Sequence, residues 1–206
     1  MEDVPYVYGL NKWLGDNLDD AACAYLKDFG AATASNGAVG LYHIEDLTPE
    51  AKELGKDLIV PNAQVYVIDD AELERVQKSY PVMWKNPAAK PKLCFVGCPH
   101  LSLQQLIDWT VAVEKGLKES GHQKVLVPTV FTTAPAVMKE FQKTAYAKRL
   151  EATGVILSYI CSLMYMNNPL CKSMPVMTCS NKLRTYTTAR FYTEAEVLEK
   201  ITKGGK

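Results

Sequence analysis

An excess of charge is the first thing this sequence lacks: 23 Lys and Arg balance 23 Asp and Glu over 206 residues. Without a positive field nothing gathers nucleic acid or an anionic membrane, and the small basic group Lys143, Lys148 and Arg149 reads as the solvated face of a helix. No run of about 18 apolar residues is present to span a bilayer. Met1-Glu2-Asp3-Val4-Pro5 lacks the basic-then-apolar pattern of a secretory signal. A cytoplasmic address is therefore expected. In that reducing compartment the six cysteines (Cys23, Cys94, Cys98, Cys161, Cys171, Cys179) should be thiols or metal ligands and not disulfides. Walker A, G-x-G-x-x-G, H-E-x-x-H, G-x-S-x-G and C-x-x-C patterns are also missing, which removes the signatures of nucleotide, zinc-protease, serine-hydrolase and thioredoxin chemistry.

What is present is a core-forming chain with 48% hydrophobic residues. An alanine-rich helical pattern runs over 19–34, with Cys23, Leu26 and Phe29 near one face, Gly30 and Gly37 as breaks, and a Ser35-Asn36-Gly37 turn. A strand is expected over 39–44, then a helix capped by Thr48 with Pro49 at its first position. Residues 63–68 alternate as another strand, Asp69 or Asp70 caps a helix through Lys78, and the proline-containing stretch 80–92 separates two subdomains. The expected domains are a smaller N-terminal α/β subdomain over 1–80 and an α/β domain over 81–206.

From Lys92 the rhythm is regular: strand 92–97, helix 102–120, strand 124–128, helix 135–150, strand 154–160, a Met- and Asn-rich connection, and strand 175–179. Strands alternating with helices of this length predict a mostly parallel sheet with helices on its faces. Ser102 is the N-cap of a helix striped by Leu103, Leu106, Ile107 and Val111, and Gly121 ends it.

An open α/β sheet places its chemistry at strand ends, and two cysteines fall there. Cys98 lies in Gly97-Cys98-Pro99-His100, before a helix N-terminus that would favour its thiolate. Cys161 follows the strand ending in Tyr159-Ile160. Two thiols at one rim could hold a soft metal site such as an iron–sulfur cluster; each taken alone is more often a core residue than a ligand. His100 is a second polar group of the site or a turn residue. Thr178-Cys179-Ser180-Asn181-Lys182 is a turn that could grip a carboxylate or phosphate, or a capped turn with a solvated lysine.

These segments resemble the aconitase X family. The resemblance is carried by Ala31-Ala32-Thr33-Ala34-Ser35-Asn36-Gly37-Ala38-Val39-Gly40-Leu41-Tyr42-His43 with Leu47-Thr48-Pro49-Glu50-Ala51, by Val96-Gly97-Cys98-Pro99-His100-Leu101-Ser102-Leu103, by Ile160-Cys161, and by Val176-Met177-Thr178-Cys179-Ser180-Asn181-Lys182. It implies an aconitase-like fold and an iron–sulfur-dependent hydro-lyase that eliminates water from a small hydroxy acid, as in cis-3-hydroxyproline or phosphomevalonate dehydratases. By position it implies Cys98 and Cys161 as cluster ligands, Ser180 and Lys182 as catalytic groups that anchor substrate, and Ser35, His100 and Asn181 as substrate-binding residues. It corresponds only to about the C-terminal half of the family's large subunit. A third cluster cysteine, the N-terminal half and a small subunit are then expected from elsewhere, with self-association of the isolated chain. Asn181, Cys179 and Tyr159-Ile160 depart from the family's usual Gly, Asn and Asp-Thr. The alternatives are a non-catalytic binding or assembly protein that retains the fold, and a thiol enzyme using Cys98 as nucleophile.

Overall fold

The computed structural model describes residues 3–204. They form two compact units, one extending to Pro81 and the other beginning at Val82.

In the first unit, β1 (Tyr6–Val7), α1 (Asn11–Leu14), α2 (Asp20–Gly37), β2 (His43–Ile44), α3 (Pro49–Leu54) and α4 (Asp70–Lys78) follow in order. β1 and β2 pair in parallel, Tyr6 opposite His43 and Val7 opposite Ile44. The Asp19 carboxylate accepts from Ala22 N at 2.8 Å and starts α2, which runs three residues beyond the expected end at Ala34. Gly30 does not break it. The Tyr42 ring crosses the helix there, its hydroxyl 3.3 Å from where a Cβ would stand and donating to Leu26 O at 2.9 Å. Ser35 is thereby helical, and its hydroxyl donates to Ala31 O and Ala32 O. The buried apolar set is small: Ala22, Ile44, Leu47 and Ala51. Thr48 Oγ1 accepts from Ile44 N at 3.0 Å, so the hydroxyl closes the preceding turn and makes no cap bond to α3.

Two strand expectations fail in this unit. Of 39–44 only His43–Ile44 pairs, and 63–68 lies in no sheet. Both runs have β-forming composition, but composition supplies no neighbour.

The second unit comprises β3 (Leu93–Leu101), α5 (Leu103–Ser120), β4 (Thr129–Thr133), α6 (Pro135–Gln142), α7 (Ala145–Ala152), β5 (Ile156–Ser158), α8 (Ser162–Met166), α9 (Pro169–Ser173), β6 (Val176–Thr178), α10 (Asn181–Tyr186), β7 (Arg190–Phe191) and α11 (Glu194–Lys203). Its five strands are parallel, in the order β5-β4-β3-β6-β7. The chain builds outward from β3 through β4 to β5, then returns to lay β6 on the other side of β3. The gap between the ends of β3 and β6 is thus the topological switch point of the sheet.

The expected strand over 124–128 is displaced to Thr129–Thr133. Val125 N and Leu126 N donate instead to Thr153 O and Ile201 O, and Pro128 offers no N–H. The single helix expected over 135–150 is two, because Lys143 N and Thr144 N turn back onto Glu140 O and Phe141 O. α5 has a full capping box: Ser102 Oγ accepts from Gln105 N, and the Gln105 amide oxygen accepts from Ser102 N.

Both faces of the sheet are covered, as parallel sheets require. One face packs Cys94, Val96, Phe131 and Met177 against Leu106, Trp109, Val113, Phe141, Leu150, Val197 and Ile201. The other packs Phe95, Val130 and Val176 with Met166, Leu183 and Ala189.

Candidate functional site at the sheet switch point

Strict alternation along β3 would send Cys98 to the same face as Cys94 and Val96. It lies on the opposite face, in the cluster of Phe95, Met166 and Leu183. The cause is at Gly97. Pairing with β4 slips between Val96 and Leu101, and Gly97 has φ +107°. A Cβ at Gly97 would stand 2.3 Å from Thr132 O, so only glycine fits. The bulge re-aims Cys98 toward α8 and α10.

Those two helices carry the other candidates. Cys161 is the N-cap residue of α8, half-buried, with no cap bond from its side chain. Ser180 caps α10: its hydroxyl accepts from Leu183 N at 2.9 Å and donates to Cys98 O. Ser180 N in turn donates to Thr178 Oγ1 at 3.1 Å. Across the sheet, Thr132 Oγ1 donates to Gly97 O at 2.6 Å and lies 3.2 Å from Ser162 Oγ. A chain of buried contacts therefore joins Cys161-Ser162 to Thr132, Thr132 to Gly97-Cys98, and Cys98 to Ser180. The ends of β3, β4 and β6 and the start of α8 are stitched together at the switch point.

His100 and Asn181 are half-buried on the same segments, and the Asn181 amide oxygen accepts from Arg184 Nε at 3.1 Å. Lys182 is half-buried in the first turn of α10, and among the described residues no hydrogen bond or ion pair holds its ammonium. A cation at the positive end of a helix is unfavourable unless an anion joins it. Ser35 belongs to the other unit. The dipole argument for Cys98 weakens: Pro99, His100 and Leu101 stay in β3, three residues between the thiol and the Ser102 cap, whereas the field fades within a turn.

Cys94 is fully buried beside Thr129, and burial pushes its thiol far above the usual range, which suits a core residue and not a ligand. Among the described residues no disulfide forms, and no group of three His, Cys, Asp or Glu side chains could hold a metal ion. Cys98 and Cys161 are the soft donors an iron–sulfur cluster takes. By donor type they would suit that group as two of its ligands, and among the described residues no third such side chain stands with them.

Thr132, Ser162 and Thr133, whose hydroxyl donates to Leu101 O at 2.6 Å, were not singled out from sequence. Thr132 and Thr133 close a buried strand, where carbonyls need donors, but a threonine there reads equally as a sheet-former.

Comparison with known proteins decides the family. Its models match twice, the aconitase X second domain over residues 1–78 and the aconitase X third domain over residues 91–202. The chain belongs to the aconitase X family. Among curated family members, the phosphomevalonate dehydratase large subunit of Thermococcus kodakarensis is 27% identical over 150 residues, 70% of this chain and 36% of that subunit. The large subunit of Methanosarcina mazei is 37% identical over 81 residues, 39% of this chain and 18% of that subunit. The crystal structure of Thermococcus kodakaraensis aconitase X in its holo-form shares the fold, with a TM-score of 0.72 at 21% identity over 97% of this chain and 47% of its own. The chain thus spans less than half of the family members it matches. No helix among the described residues is long and apolar enough to cross a membrane.

Proposed function

We propose that this chain is the second- and third-domain portion of an aconitase X type dehydratase acting on a hydroxy acid, catalytic only together with the first domain and with a small subunit. The observation that carries this reading is the stitched rim: a glycine bulge turns Cys98 to the face where Ser180 and the Cys161-Ser162 helix start converge. Cys98 and Cys161 would hold an iron–sulfur cluster, completed by a cysteine from the first domain. A bound cluster supplies Lewis-acid polarisation of the leaving hydroxyl.

The chain's own residues have separable tasks. Lys182, with no anionic partner among the described residues, binds the carboxylate or phosphate of the substrate. Ser180 Oγ uses its proton on Cys98 O and one lone pair on Leu183 N, which leaves one acceptor site toward the substrate hydroxyl. His100 and Asn181 line the same rim, and Ser35 joins the substrate contacts by resemblance alone. The names of the relatives make phosphomevalonate the first substrate to try.

The test is anaerobic assembly of the chain with the first domain and small subunit, followed by product detection with phosphomevalonate and with cis-3-hydroxyproline. Water elimination from either one, with KM raised about tenfold or more in Lys182→Ala and largely restored in Lys182→Arg, is the expected outcome. A fully assembled complex that dehydrates neither, and binds neither, favours the non-catalytic binding or assembly reading, which the two-thiol donor set also suits.

A further inference from the structure

Residues 61–70 are exposed without interruption, and within them Val65, Tyr66, Val67 and Ile68 are 84, 70, 72 and 64% exposed. Four adjacent β-branched and aromatic side chains in water are a poor loop and a good strand. Yet among the described residues no backbone hydrogen bond reaches 64–68. The run lies in no helix, strand or turn, and the Tyr66 hydroxyl donates to Glu72, which tethers it beside α4. The sheet of this unit is itself only two strands of two residues, below the size at which a β-structure stands alone. A bare apolar strand is an aggregation hazard that folded proteins cover.

The matched domains are the family's second and third, and the structural neighbour has more than half of its length without a counterpart here. Resting on the reading above, we infer that residues 63–68 are the docking strand for the first domain, which adds a β-strand alongside them. The main chain of 64–68 supplies the ladder of hydrogen bonds, and Val65, Val67 and Ile68 enter apolar pockets of the incoming domain. Docking through backbone groups explains a strand-forming sequence with no partner of its own.

The experiment uses the full chain and the recombinant first domain of the aconitase X large subunit from the same organism. Hydrogen exchange of the 64–68 amides is followed for the chain alone and in the complex, with Val67→Pro and Val67→Thr as variants. The chain alone should exchange these amides freely; the complex should slow them by about 100-fold or more. Val67→Pro removes an N–H that bonds to nothing in the isolated chain, so its circular dichroism stays unchanged while binding weakens at least ~10-fold; Val67→Thr keeps the N–H and weakens binding less than ~3-fold. A complex that protects other amides and leaves 64–68 exposed overturns the docking strand but not the dehydratase reading. Concentration-dependent protection in the chain alone assigns the strand to a second copy and also overturns it. Failure of the two polypeptides to associate removes the dehydratase reading itself.

Discussion

Two β-rich runs, 63–68 and 93–96, are nearly interchangeable on paper and opposite in the fold. Leu93, Cys94, Phe95 and Val96 lie in β3, with Phe95 opposite Val130 of β4 and Thr178 of β6. Cys94, Phe95 and Val96 are at most 1% exposed, whereas Val65 is 84% exposed with no ladder bond. The difference lies in what surrounds each run. The 93–96 run is followed by α5, long enough to return the chain to the same sheet; the 63–68 run is followed directly by α4 and meets no returning strand. β-propensity describes fit to a half-buried surface, and that surface has to be provided by other segments.

Substitutions should separate the two runs in order of size. Phe95→Ala removes a fully buried ring that stacks with Tyr165 at 5.4 Å, and a loss of about 3–5 kcal/mol is expected from urea unfolding followed at Trp109. Gly97→Ala drives a Cβ into Thr132 O from a positive φ and should cost roughly 3 kcal/mol by the same measurement, moving Cys98 with it. A well-folded Gly97→Ala protein would break the account of the bulge. Thr132→Val leaves Gly97 O without its donor for a cost of about 1–3 kcal/mol, and Thr132→Ser should restore most of it.

On the other side of the comparison, effects should be small. Arg75 and then the Tyr66 hydroxyl draw the half-buried Glu72 carboxyl down from 4.5 to about 2. Because the folded value is depressed, this support for the 66–75 segment is complete above about pH 4.5 and fades as pH falls toward about 2. Protection of the α4 amides, taken relative to the intrinsic exchange rate at each pH, should fall across that range while that of α5 holds. Val67→Ala should leave the stability of the isolated chain within about 0.5 kcal/mol; a larger loss would mean that the run is already packed.

The same contrast sets what could be read from the residues. The parallel α/β sheet was legible from β3 onward because strand and helix periodicities alternate with clear caps, Ser102 and Gly121 among them. The strand near 124–128 was placed too early because Val125-Leu126-Val127 has the composition of a strand while Pro128 delays the ladder. β7 and α11 went unread although Thr193 and Glu196 form a capping box ahead of Val197 and Ile201. At the rim, both cysteines and Ser180 were visible as strand-end residues. Thr132 was not, because a threonine inside a buried strand looks like a sheet-former until its hydroxyl is seen on Gly97 O.

Iron and acid-labile sulfide content, with the visible spectrum, of the anaerobically purified complex with the first domain is the most direct test, run on the wild type beside Cys98→Ala and Cys161→Ala. Iron and sulfide are expected in the wild type and should be lost in each variant, with the complex still assembled. Iron that persists undiminished in either assembled variant would contradict a shared centre at the rim, as would an assembled wild-type complex that cannot be loaded with iron.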